Sequence, residues 1–375
     1  MFRAIAAASL AAVMAACAPV PSNPGSTAGV PVFRVDAAWP QPLPEDNGVQ
    51  LVFGQVAGIA VDNRNGHVWM VHRPASLLND EWDPKGNKPV THRCCKSLPA
   101  VVEFDEKGRY LRGWGGPGSG YDWPKTEHGI YVDPEGNVWV GGNGNEDNQI
   151  LKFTPDGKFL MQIGRAGKSE GSNSRTQLGR PAHMTLDAAA GELYVADGYG
   201  NRRVVVFDAR SGAYKRHWGA YGDTPNDDAQ APYDLAKPLS RQFGNPVHCV
   251  RIANDGLVYV CDRVNNRIQV FDKQGRFKHE FRVEVQTLAN GSVWDMVLSQ
   301  DTAQRHLYVA DGANGRIYIL RREDGQVVGS FGRTGHMAGE FKWIHNLAID
   351  AQGNLYTAEV GFGRRAQKFE LVSSR

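Results

Sequence analysis

HGIYVDPEGNVWVGG at residues 128–142, HMTLDAAAGELYVAD at 183–197, HCVRIANDGLVYVCD at 248–262 and HNLAIDAQGNLYTAE at 345–359 are copies of one pattern. In each, a glycine follows the histidine by eight residues and an aromatic ring by eleven. AGIAVDNRNGHVWMVH at 57–72 and DMVLSQDTAQRHLYVAD at 295–311 are looser copies, with turns longer by one and two residues, which makes six in all. Each copy reads as two short strands of β-branched, leucine and aromatic residues around an Asp/Asn/Gly turn, whose residues tolerate the positive φ that a tight hairpin needs. A second hairpin follows five of the copies, as in VVEFDEKGRYLRGWG (101–115) and IQVFDKQGRFKHEF (268–281). Four antiparallel strands, repeated six times, describe propeller blades. The predicted fold is all-β, a six-bladed β-propeller over residues 31–375. The sixth copy is followed only by RRAQKFEL (364–371), so PVFRVD (31–36) is expected to supply its outer strand and to close the ring with the two ends of the chain.

Composition agrees with a large folded body. Of 375 residues 41% are hydrophobic, and nine Trp with fifteen Phe exclude a disordered chain. Lys and Arg number 42 against 40 Asp and Glu, a formal charge of +2, so no basic footprint exists and no nucleic-acid partner is expected. No apolar run reaches the roughly 18 residues of a membrane span. Residues 1–16, from Arg3 through an alanine-rich stretch, have the form of an export signal, and Met14-Ala15-Ala16-Cys17 that of a lipoprotein box with Cys17 as the lipidated residue. Residues 17–30, rich in Pro, Ser and Gly, read as a flexible tether. The protein is expected to be exported, periplasmic or held at the bacterial cell envelope, touching a membrane only through the lipid anchor, and monomeric.

In an oxidising compartment the remaining cysteines can form bridges. Cys249 and Cys261 lie symmetrically about the Asn254-Asp255-Gly256 turn and are expected to face each other in one hairpin. Cys94 and Cys95 are adjacent, and their pairing stays open. No C-x-x-C, H-E-x-x-H, phosphate-binding loop or serine-hydrolase elbow occurs, which removes several enzyme classes.

Let the strands of a blade be A to D from the axis outward. Alternating strand direction puts the start of A, the B-to-C turn and the D-to-A link on one face. The long segments 74–99, 165–182 and 219–247 all belong to that face, where binding is expected. The first residue of each copy opens strand A at the channel mouth: Ala57, His128, His183, His248, Asp295 and His345. Four imidazoles and a carboxylate at one level form a metal-ligand constellation, although a single such histidine would as easily cap a strand or bind channel water. The B-to-C turns add His72-Arg73, Asp197-Gly198-Tyr199 and Asp262-Arg263. Guanidiniums fork a carboxylate, and a phenol beside a cation can act as a base, so the expected partner is a small-molecule or peptide substrate carrying a carboxylate. Asp-Gly and Asp-Arg after a strand are equally at home as structural turn elements.

The repeats resemble NHL repeats. FGQVAGIAVD, VWMVHR, EHGIYVD, YVADGYGNRRVVVF, CDRVNNRIQVF and IHNLAID, taken in order across residues 51–369, resemble the peptidyl-α-hydroxyglycine α-amidating lyases. The resemblance implies a zinc-dependent carbon–nitrogen lyase that splits a carbinolamide, a peptide ending in α-hydroxyglycine, into an amide and glyoxylate. It implies His128, His248 and His345 as metal ligands, Tyr199 as the catalytic base, Arg73 as a substrate-binding and polarising group, and Arg263 as a further active-site arginine.

Three departures stand out. The family carries an acidic residue directly after the last ligand histidine, associated with a structural calcium; here it is Asn346, which puts calcium in question. Trp343 stands where the family has Met. His183 occupies a position that is acidic in the family, leaving it as a fourth ligand, a group supporting a ligand, or a substrate contact. Two other readings remain: a non-catalytic envelope propeller that binds a peptide, glycan or protein, and a calcium-dependent lactonase, against which the histidine-rich mouth argues.

Overall fold

The computed structural model describes residues 29–77 and 94–374; the predicted export signal, Cys17 and most of the tether lie outside them. Among the described residues the regular structure is strand, apart from three short 3₁₀ turns. The hairpins form because their aspartates build the turns. Asp133 accepts the backbone N–H groups of Glu135 and Asn137 at 3.1 and 2.8 Å, and Asp105, Asp272 and Asp350 repeat the arrangement. Three residues on, Gly136 takes φ +89°, a conformation that a side chain would strain.

Six four-stranded antiparallel sheets result. Their A strands are Gln55–Asp62, Glu127–Val132, His183–Asp187, Val247–Ile252, Asp295–Leu298 and Ile344–Ile349. Each A strand neighbours the next, and Ile344–Ile349 returns to Gln55–Asp62. The sixth sheet is completed from the other end of the chain, where Pro31–Asp36 pairs antiparallel with Arg365–Ser374 and Val35 faces Phe369. Phe33 from that strand stacks on Phe331 and meets Tyr308 edge-on, both at 5.2 Å, tying the sixth blade to the fifth.

The core lies between blades. Every residue of Val138–Gly142 and of Val258–Asp262 is buried because a neighbouring blade covers each face. Such strands therefore read as unbroken apolar runs and not as alternation. One interface gathers Cys249, Ile268, Val270, Met296, Val309 and Leu320, and burying each side chain of this size contributes about 1.5–3 kcal/mol. Cys249 lies opposite Cys261 and is disulfide-bonded to it. Cys94 is bonded to Cys95, at the start of Cys95–Ser97, which runs parallel to Val49–Val52 in a separate three-stranded sheet.

In two blades the register differs from the expected one. In the second, fourth and sixth blades the A-to-B pairing shifts at His128, His248 and His345, a β-bulge that re-aims the side chain. The first blade shifts likewise beside Ala57. The third and fifth hairpins pair without a shift from His183 and from Asp295. The third closes its turn one residue earlier, with Asp187 opposite Glu192, whereas in the fourth Ile252 is opposite Val258. A slip of one residue changes what every side chain faces, so the six mouth residues do not form one level.

Candidate metal centre and active site

His128, His248 and His345 belong to alternate blades, and the blades between them supply their acceptors. His128 Nδ1 donates to Ala182 O at 2.7 Å, His345 Nδ1 to Ala57 O at 2.6 Å, and His248 Nδ1 to Trp294 O. A carbonyl only accepts, so each ring carries its proton on Nδ1 and keeps a bare Nε2. The ring centroids are 4.6–5.2 Å apart, and the candidate ligand atoms lie within 4.8 Å of one another. Burial drives all three toward the neutral form: His345 falls to about 3 with Arg73 adding to the effect, His128 is lowered further by His345 and Arg73, and His248 by Arg263 and His345.

The Tyr199 hydroxyl stands 3.0 Å from His128 Nε2 and 3.1 Å from His248 Nε2, and Arg263 Nη1 donates to it at 3.3 Å. One phenol proton cannot serve two bare nitrogens. An excess of lone pairs over hydrogens at a buried point is what a cation compensates, and the three histidines could hold a metal ion.

Two guanidiniums border this point. Arg73 donates to Glu127 O at 2.9 Å, Gln55 Oε1 at 2.7 Å and Asn143 Oδ1 at 3.3 Å. Arg263 is 8% exposed, lies 4.5 Å over the Trp294 ring, and has a buried Nε without a hydrogen-bond partner. Neither arginine is in a salt bridge with a carboxylate among the described residues; the Glu127 and Asp147 carboxylates favour the charge of Arg73 from a distance, and Arg263 keeps an unpartnered Nε.

The turns separate structural from available residues. Asp197 pairs with Arg203 at 2.9 Å and Asp262 with Arg267 at 2.7 Å, all four fully buried, which frees Tyr199 and Arg263 to face the channel. His72 is spent structurally, its Nδ1 accepting from Gly54 N at 3.2 Å and its Nε2 donating to Pro99 O at 2.9 Å. The structure does not bring His183 into the trio. Its Nδ1 accepts from Val250 N at 3.5 Å, the opposite tautomer, and burial with Arg251 nearby holds it neutral. Asp295 also lies off the imidazole level, bonded to Arg251 and Asn346.

Two neighbours were not expected from the sequence. Arg180, at φ +60°, lies 5.8 Å from the Tyr199 ring with its Nε on Asn143 O at 2.9 Å. Its loop has no repeat partner that would have marked it. Trp294 orients His248 through its carbonyl and packs on Trp343 at 5.3 Å. Counting the turn lengths would have revealed it as the residue level with the bulged histidines.

Known proteins resemble this chain in sequence and fold. The family model described as "NHL repeat" matches residues 247–271. The chain is 28% identical to NHL repeat-containing protein 3 of Mus musculus over 65% of its length and 57% of that protein's. It is 26% identical to peptidyl-alpha-hydroxyglycine alpha-amidating lyase 1 of Drosophila melanogaster over 90% of its length and 64% of that protein's. It thus spans less than two thirds of either relative. A solved structure of a catalytically inactive variant of virginiamycin B lyase from Staphylococcus aureus, with quinupristin, superposes with a TM-score of 0.50 at 15% identity, covering 92% of this chain and 90% of that one, a likeness of fold. The chain is a β-propeller that carries an NHL-repeat match at residues 247–271 and resembles the peptidyl-α-hydroxyglycine α-amidating lyases.

Proposed function

We propose that this protein is an exported, metal-dependent lyase that cleaves a carbinolamide of the peptidyl-α-hydroxyglycine kind into an amide and glyoxylate. The observation that carries the reading is the meeting of three Nδ1-anchored imidazoles and one phenol oxygen beside two arginines, the buried Arg263 and the half-buried Arg73, neither of them in a salt bridge among the described residues. A substrate carboxylate would be held by Arg263 and Arg73 in charge-assisted hydrogen bonds. Zinc, held by His128, His248 and His345 through Nε2, would supply a Lewis acid that makes the substrate hydroxyl more acidic.

Tyr199 is the base that takes the hydroxyl proton. The electron pair of the O–H bond becomes the carbonyl of glyoxylate as the carbon–nitrogen bond breaks, and the departing amide nitrogen takes back a proton from the phenol. Arg263, donating to the phenol oxygen, stays in place through both transfers. The Nδ1–carbonyl bonds keep the imidazoles from turning while charge moves.

Metal content of the purified protein, measured beside glyoxylate release from a synthetic α-hydroxyglycine peptide, tests the proposal with His248→Ala as control. About one zinc per chain, with turnover lost in the variant while the β-rich circular dichroism persists, is the expected result. Turnover that survives His248→Ala rejects the site. Neither metal nor turnover in the parent protein leaves a binding propeller of the envelope.

A further inference from the structure

Below the three imidazoles the channel holds a second polar cluster. Arg251, on Val247–Ile252, donates from Nη2 to Asp295 Oδ2 and Leu347 O, both at 2.9 Å, and from Nε to Met296 O at 2.9 Å. Asp295, only 1% exposed, also accepts from Leu347 N and Met296 N at 2.8 Å each and from Asn346 Nδ2. Asn346 Oδ1 in turn accepts Ile59 N at 2.7 Å. One network therefore joins the fourth, fifth, sixth and first blades, across the seam where the chain's two ends share a sheet.

Calcium does not fit here. A hard dication needs six to eight oxygens, several of them charged. The cluster offers one carboxylate, and its oxygens already accept from N–H donors. That carboxylate is matched by one guanidinium, so an added dication would sit against Arg251 with no further negative charge to hold it. The second close group of candidate ligands, Cys249, Cys261 and Asp295, has both sulfurs spent in a disulfide.

We propose that Arg251 is a built-in cation that clamps the channel floor where the resemblance leads one to expect calcium, so that the ring seam is held by the protein's own charge. Asn346 adjoins His345, which makes the same network the support of the third imidazole's strand. The clamp is independent of the lyase reading, because none of its hydrogen bonds goes to Tyr199, Arg73, Arg263 or the three imidazoles.

Thermal unfolding of the purified protein with and without millimolar calcium chloride, together with its calcium content, tests the idea. The parent protein should contain no calcium, and its Tm should not move. Arg251→Met should lower the Tm by leaving Asp295 buried without its partner. Arg251→Met combined with Asn346→Asp, which exchanges the guanidinium for a second carboxylate, should gain a saturable Tm rise with calcium. Asn346→Asp alone, with Arg251 in place, should remain indifferent to the ion and serves if the other variants fail to fold. Stoichiometric calcium in the parent, a calcium-dependent Tm for it or for Asn346→Asp, or an Arg251→Met protein that melts like the parent overturns the proposal.

Discussion

His72 is wholly buried between Gly54 and Pro99, and burial lowers its pKa from 6.5 to about 4. In the unfolded chain the ring titrates near 6.5. Below that pH the unfolded chain binds a proton that the fold refuses. Stability is thus complete above about pH 6.5, falls as pH drops toward about 4, and levels off beneath it. A shift of about 2.5 units at 1.36 kcal/mol per unit amounts to about 3 kcal/mol across the window. His72→Gln removes the titration while keeping one donor and one acceptor. Urea unfolding followed by tryptophan fluorescence at pH 7 and pH 4, with chelator present so that metal binding adds nothing, measures the difference. The parent protein should lose about 3 kcal/mol more than the variant between the two pH values. His128, His183, His248 and His345 are also held neutral by burial, but they titrate in both proteins and cancel. Equal losses would show that His72 is not held neutral, and the account of its burial would fall.

Tyr199→Phe should keep the bound metal and lower kcat for glyoxylate release by about a hundredfold or more; a kcat near that of the parent would make the phenol a structural group. Arg267→Met should cost about 3–5 kcal/mol in denaturant unfolding, because it strands the buried Asp262 carboxylate, and a loss below about 1 kcal/mol would contradict the burial of that pair. Reducing the bond between Cys249 and Cys261, or replacing both residues with Ser, should cost about 2–4 kcal/mol; unchanged unfolding would mean that the hairpin holds without it.

Much of this architecture is written openly in the chain. The eight-residue step from histidine to glycine marks each A-to-B hairpin because the turn needs positive φ there, and the short sixth copy announces that Pro31–Asp36 must complete a sheet. The amidating-lyase motifs singled out His128, His248, His345, Tyr199, Arg73 and Arg263, which the structure brings around one point. His183 carries the same histidine at the same distance from its glycine, yet its turn closes one residue sooner, and hydrogen-bond register is invisible in a pattern of residue types. The acceptors of the Nδ1 protons were hidden for another reason: any residue can offer a carbonyl, so Ala57, Ala182 and Trp294 leave no chemical trace of that duty. Arg251 is not legible because a guanidinium in a mostly apolar strand gives no hint of which two blades will receive it.

The hydrogen bond from His345 to Ala57 O has a consequence for biosynthesis. It spans 288 residues, from one of the last strands made to one of the first. A nascent chain that has completed five blades holds two of the three imidazoles and lacks the third. The trio comes into being only when the sixth blade docks against the first, so under the proposed metal site competence to bind the ion would be a late checkpoint on a finished ring. A truncated or unclosed product would thus lack one of the three imidazoles, however well its individual blades had folded.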